Sequence, residues 1–123
     1  MNNKKILVIT SNDDVFDKLH IEFEPPEYEL KRITNPLMYI EAVSGNDFFA
    51  IIADLKMKDI YIMDMLNGSG FVDKSVPVVA LSSDITADNI LLTYEFGLLD
   101  IYPKDYKIGA VRKAIERAVN TVS

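Results

Sequence analysis

The stretch FFAIIADLKM, residues 48–57, is an apolar run that stops on a single carboxylate, Asp54. A run with no polar face suits a strand covered by helices on both sides. An acid at the end of such a strand is either the first polar residue of a loop or a reactive group held up at the rim of a sheet. What the other strand ends bring to the same place decides between the two.

Working outward, residues 5–10 (KILVIT), 76–82 and 98–102 are further short apolar runs, and 28–33 alternates polar and apolar residues as an edge strand does. Stretches of helical period separate them, each change marked by Pro, Gly, Asn or Asp. The first predicted helix is capped by Asn12, carries Asp13 and Asp14 in its first turn, shows a core stripe of Val15, Phe16, Leu19 and Phe23, and ends at Pro25 and Pro26. The second runs from Asn35 and Pro36 to Gly45, the third over 60–67 to Gly68, and the fourth over 86–96 to Gly97. The last places Ile108, Val111, Ile115, Val119 and Val122 on one face. Five strands alternating with five helices predict a doubly wound α/β domain with a five-stranded parallel sheet and a site at the carboxyl ends of the strands. The polar residues there are Thr10 and Ser11, Asp54, Ser82 and Ser83, and Lys104.

The bulk properties narrow the function. At 123 residues the chain is the size of one domain, expected to span residues 1–123, and 49% apolar with 26% charged residues suits a protein that folds alone. A formal charge of -6 repels a phosphate backbone, so direct nucleic-acid binding is not expected. The absence of cysteine excludes disulfides and thiolate metal sites. Apolar runs too short to cross a bilayer, with no signal-peptide pattern, read as a cytosolic protein without a membrane partner. His20, the single histidine, has no second His or Cys for a metal site and reads as a surface residue.

A carboxylate, a hydroxyl and an ammonium on neighbouring strand ends suit phosphoryl transfer to the carboxylate, chemistry in which a protein mainly positions groups and neutralises oxygens. Asp54 would attack, Lys104 would pair with one phosphoryl oxygen, and Ser82 would donate to another.

With KILVIT, FFAIIADLKM, PVVALSS (77–83) and EFGLLDIYPKD (95–105) in this order, nearly the whole chain resembles the receiver domain of two-component response regulators. The resemblance implies the flavodoxin-like strand order 2-1-3-4-5. It also implies a phospho-acceptor at Asp54, a switch hydroxyl at Ser82, and a phosphate-binding lysine at Lys104. The chain would then be a signalling module rather than an enzyme, with a histidine kinase or an effector protein as partner.

The departures from the family pattern matter as much. The acidic pair that usually ends strand one and binds Mg²⁺ is replaced by Thr10 and Ser11, so Mg²⁺ binding should be weakened, with Asp54 and Asp13 as the remaining acidic candidates. Lys56 stands two residues past the acceptor, and Lys58 stands where the family has a proline. The aromatic switch position falls on Ile101, with Tyr102 on the opposite strand face. Asp105 replaces the usual proline after the lysine. The fourth predicted helix holds more apolar residues than one face can bury, so Leu91, Leu92 and Tyr94, with Leu99 and Tyr102, form a candidate interaction face through which a homodimer could form.

The expectation is a degenerate receiver acting through protein–protein interaction with weakened phosphorylation at Asp54. The alternatives are a receiver that still takes a phosphoryl group from a histidine kinase on Asp54 and, more remotely, a flavodoxin-like FMN binder.

Overall fold

The computed structural model describes residues 4–43, 47–54, 76–95 and 97–122. The helix expected over 60–67, Lys56 and Lys58 lie outside the described residues. Five strands are present: β1 (Lys4–Ile9), β2 (Tyr28–Ile33), β3 (Ala50–Asp54), β4 (Val78–Leu81) and β5 (Asp100–Tyr102). They form one parallel sheet in the order β2-β1-β3-β4-β5. Four α-helices are found among the described residues: α1 (Asp13–Glu22), α2 (Tyr39–Val43), α3 (Ala87–Glu95) and α4 (Ala110–Val122), with a 3-10 turn, Pro36–Met38, leading into α2.

Strand side chains alternate between two cores, as the two-residue period requires. Ile6, Val8, Ala50, Ile52, Val79 and Leu81 pack with Val15, Leu19 and Phe23 from the α1 segment and Val111 and Ile115 of α4. Leu7, Ile9, Ile51, Ala53, Val78 and Ala80 pack on the other side with Tyr39 of α2, and Ile90 of α3 leans against them. Helices therefore cover both faces, and the strand ends open at one rim. No helix among the described residues is long and apolar enough to cross a membrane.

The local signals act as their chemistry dictates. Asn12 caps α1, its side-chain oxygen accepting from the N–H groups of Asp14 (2.9 Å) and Val15 (3.4 Å). Gly97, at φ 80°, ends the α3 segment in the left-handed conformation, and the amides of Gly97 and Leu98 close back on the Tyr94 and Thr93 carbonyls. One expectation needs correction. Ile108 is not on the core face of the last helix: it precedes α4 and is 50% exposed, because the chain turns at Gly109 (φ 101°) before the helix starts. In α3 the fully buried position is taken by Thr93, whose hydroxyl donates to the Asn89 carbonyl within its own helix (2.8 Å), so burial leaves it no unmet bond.

Candidate functional site

Register places the site. Ile9 pairs with Ala53, so Thr10, one residue past β1, stands beside Asp54 on the α1/α4 side of the sheet. Asp54 pairs with Leu81, and Leu81 with Tyr102, so the ends of β4 and β5 arrive at the same rim.

Asp54 has a side chain only 7% exposed, and both its oxygens are engaged. The Lys104 ammonium lies 3.1 Å from Oδ1. The Thr10 hydroxyl donates to Oδ2 at 2.6 Å. Thr10 Oγ1 in turn accepts from the Asn12 N–H at 3.0 Å, which helps aim its proton at the carboxylate. The acid and the amine thus meet directly, even though Asp105 follows the lysine. Charge-assisted hydrogen bonds of this kind are short and about twice as strong as neutral ones.

Ser82 is also buried, but its hydroxyl is turned to its own loop, where it accepts from the Asp84 N–H at 3.1 Å. It makes no hydrogen bond to Asp54 among the described residues. Ser11 is exposed. Asp13 is exposed and pairs with Arg32 of β2 at 2.8 Å, and the same guanidinium donates through Nε to the Thr10 carbonyl at 3.0 Å. Arg32 thus braces the turn that carries Thr10. Ile101 is buried in one core while Tyr102 packs against the other, so the two stand on opposite faces of β5.

A Mg²⁺ ion needs several hard oxygen ligands in octahedral geometry, usually with one or two carboxylates. Among the described residues no three His, Cys, Asp or Glu side chains gather anywhere. Asp54, the one carboxylate that meets Lys104 and Thr10 among the described residues, already holds an ammonium and a hydroxyl proton. The residues described therefore do not fit that ion.

Two residues that the sequence pattern does not single out border the site. Lys18 of α1 donates to the Lys104 carbonyl (3.0 Å) and to the Tyr106 carbonyl, with its ammonium 3.8 Å from the Tyr106 ring centre. Glu22, a buried acid 3% exposed, accepts from Tyr106 Oη (2.7 Å) and from the amides of Gly109 (3.0 Å) and Arg112 (2.8 Å). Burial first, and then the bond to Glu22, pushes the Tyr106 phenol well above its ordinary range. The available signal was an acid at the core spacing Val15, Leu19, Glu22.

On the expected interaction face, Leu91 is 60% and Tyr94 52% exposed, while Leu92, Leu99 and Tyr102 are half-buried. Tyr94 Oη donates to Asp100 at 3.2 Å.

No family model matches the chain. Sporulation initiation phosphotransferase F of Bacillus subtilis is 21% identical over 117 residues, covering 95% of this chain and 94% of that protein. Among solved structures, the receiver domain of Francisella response regulator 1452 superposes with a TM-score of 0.82 at 17% identity, covering 98% of this chain and 100% of that one. A two-component response regulator from Clostridium difficile gives 0.81 at 17% identity, with 98% and 99% covered. The signal receiver domain of a histidine kinase from Syntrophus aciditrophicus gives 0.80 at 19%, with 98% and 92% covered. The chain has the fold of response-regulator receiver domains.

Proposed function

We propose that this chain is a receiver-type module of two-component signalling that works mainly by protein–protein interaction, with phosphorylation at Asp54 weakened. It is not an enzyme in this reading. The observation that carries it is the double engagement of Asp54, by Thr10 at 2.6 Å and Lys104 at 3.1 Å. Attack on a phosphorus atom needs a free carboxylate oxygen and cations to neutralise the equatorial oxygens. Here the hydroxyl proton stabilises the resting carboxylate, and Lys104 is the one cation paired with it among the described residues. A histidine kinase or an effector is the partner expected. Exposed Leu91 and Tyr94 are the part of the candidate face open to such a partner or to a second copy.

The second reading, a working acceptor that takes its phosphoryl group from a histidine kinase, is favoured by the closeness of Lys104 to Asp54. An FMN site is disfavoured because Asn12 already satisfies the α1 amides that would face a phosphate, and Asp13 and Asp14 would repel one.

Incubation with acetyl phosphate and Mg²⁺, read by intact mass beside a reactive control receiver, tests the proposal. Little or no adduct is expected. A stoichiometric adduct that disappears in Asp54→Asn would establish the second reading.

A further inference from the structure

The segment carrying Lys104 leaves the sheet at Tyr102 and joins α4 at Ala110. Between these points its own hydrogen bonds are local, from the Tyr106 N–H to the Pro103 carbonyl and from the Ala110 N–H to the Lys107 carbonyl. Its polar ties to the rest of the molecule, among the described residues, come from α1 and from Asp54. Lys18 and Glu22 are one helical turn apart, so they project from the same side of α1. Lys18 grips the start of the segment through two carbonyls and the face of the Tyr106 ring. Glu22 grips its far end through Tyr106 Oη and the Gly109 and Arg112 amides. A carboxylate at the start of α4 is favoured by the orphan amides and the helix dipole, so the acid is compensated although buried.

We propose that Lys18 and Glu22 are positioning residues whose grip on the 104–112 segment presents the Lys104 ammonium to Asp54. The grip acts on the backbone of residue 104 itself, through the carbonyl that Lys18 holds. It ties the face of α1 to the Asp54–Lys104 pair, and such ties are reciprocal: whatever loosens one end loosens the other. The proposal holds whether or not Asp54 accepts a phosphoryl group, so the phosphodonor result and this one fail independently.

The test is the rate at which an amine-reactive ester labels Lys104 in the whole chain, read by peptide mass spectrometry against exposed Lys107 as an internal standard. Pairing with Asp54 shields Lys104 in the parent. Lys18→Met keeps the aliphatic stem but removes the ammonium, and it should speed labelling of Lys104 about threefold or more, the size of coupling seen between contacting residues. Glu22→Gln should move it the same way by less, and Lys18→Arg should restore protection. In an Asp54→Asn background, where the pair is already gone, Lys18→Met should add nothing. An unchanged Lys104 rate in Lys18→Met would overturn the proposal, and so would an equal rise in the Asp54→Asn background. Circular dichroism of each variant separates loss of the grip from loss of the fold.

Discussion

The ends of β1 and β4 each carry a buried hydroxyl, Thr10 and Ser82, at the same rim of the sheet, yet the two do different things. Thr10 donates to a carboxylate from a strand 44 residues away, whereas Ser82 receives a bond from an amide two residues on. Both are buried hydroxyls, so neither chemistry nor burial sets the role. Register does: Thr10 falls beside Asp54 on the same face, while Ser82 is one step past Leu81, the residue that pairs with Asp54. One hydroxyl is part of the charge balance of the site, and the other is part of a turn.

That contrast can be broken by measurement. Thr10→Val keeps the shape and removes the donor, leaving a buried carboxylate oxygen without its proton. It should cost about 2 kcal/mol in urea unfolding, as expected for a hydrogen bond to a charged group. Ser82→Ala deletes only a bond to a local amide that can turn to water, and should cost about 1 kcal/mol or less. If Ser82→Ala proves the more damaging, the roles assigned to the two strand ends are reversed.

A smaller effect extends the comparison to two buried phenols. Tyr106 Oη has Glu22 as acceptor, whereas Tyr39 Oη is buried with no hydrogen-bond partner among the described residues. Burial pushes the Tyr39 phenol up to about 12 from an ordinary 10.0. A folded-state value above the unfolded one means that the native chain holds the proton more tightly. The contribution to stability is then whole below about pH 10 and is lost as the pH climbs towards 12. Tyr39→Phe should change stability at pH 7 by less than about 1 kcal/mol, since an unpartnered hydroxyl is removed. Unfolding midpoints between pH 9 and 12 should fall less steeply in that variant than in the parent.

The parts legible in the sequence were those set by short-range chemistry. Apolar runs bounded by turn residues mark four strands and polar–apolar alternation marks β2, while Asn12 and Gly97 mark helix ends because capping depends on a few adjacent atoms. Strand order came through the resemblance and not through the pattern, since periodicity carries no information about which strand lies next to which. Ile108 has helical spacing from Val111 and Ile115, and spacing cannot reveal that Gly109 turns the chain before the helix starts. At the site, the hydroxyl residues Thr10 and Ser11 at the end of β1 are readable in the sequence, but what Thr10 does is not. A hydroxyl acquires that role only when the register of β1 against β3 is known. The role of Glu22 is hidden in the sequence for a similar reason: its partners lie 84 to 90 residues away.

The same glutamate has a consequence for how the molecule is assembled. The start of α4 is completed by an atom that belongs to α1, so α4 does not carry its own full set of instructions. During synthesis the acid exists long before the amides it will meet, and it must remain hydrated until the far end of the chain arrives. A peptide corresponding to α4 alone should accordingly be a poor helix, and grafting that helix into another scaffold would require bringing a carboxylate along with it.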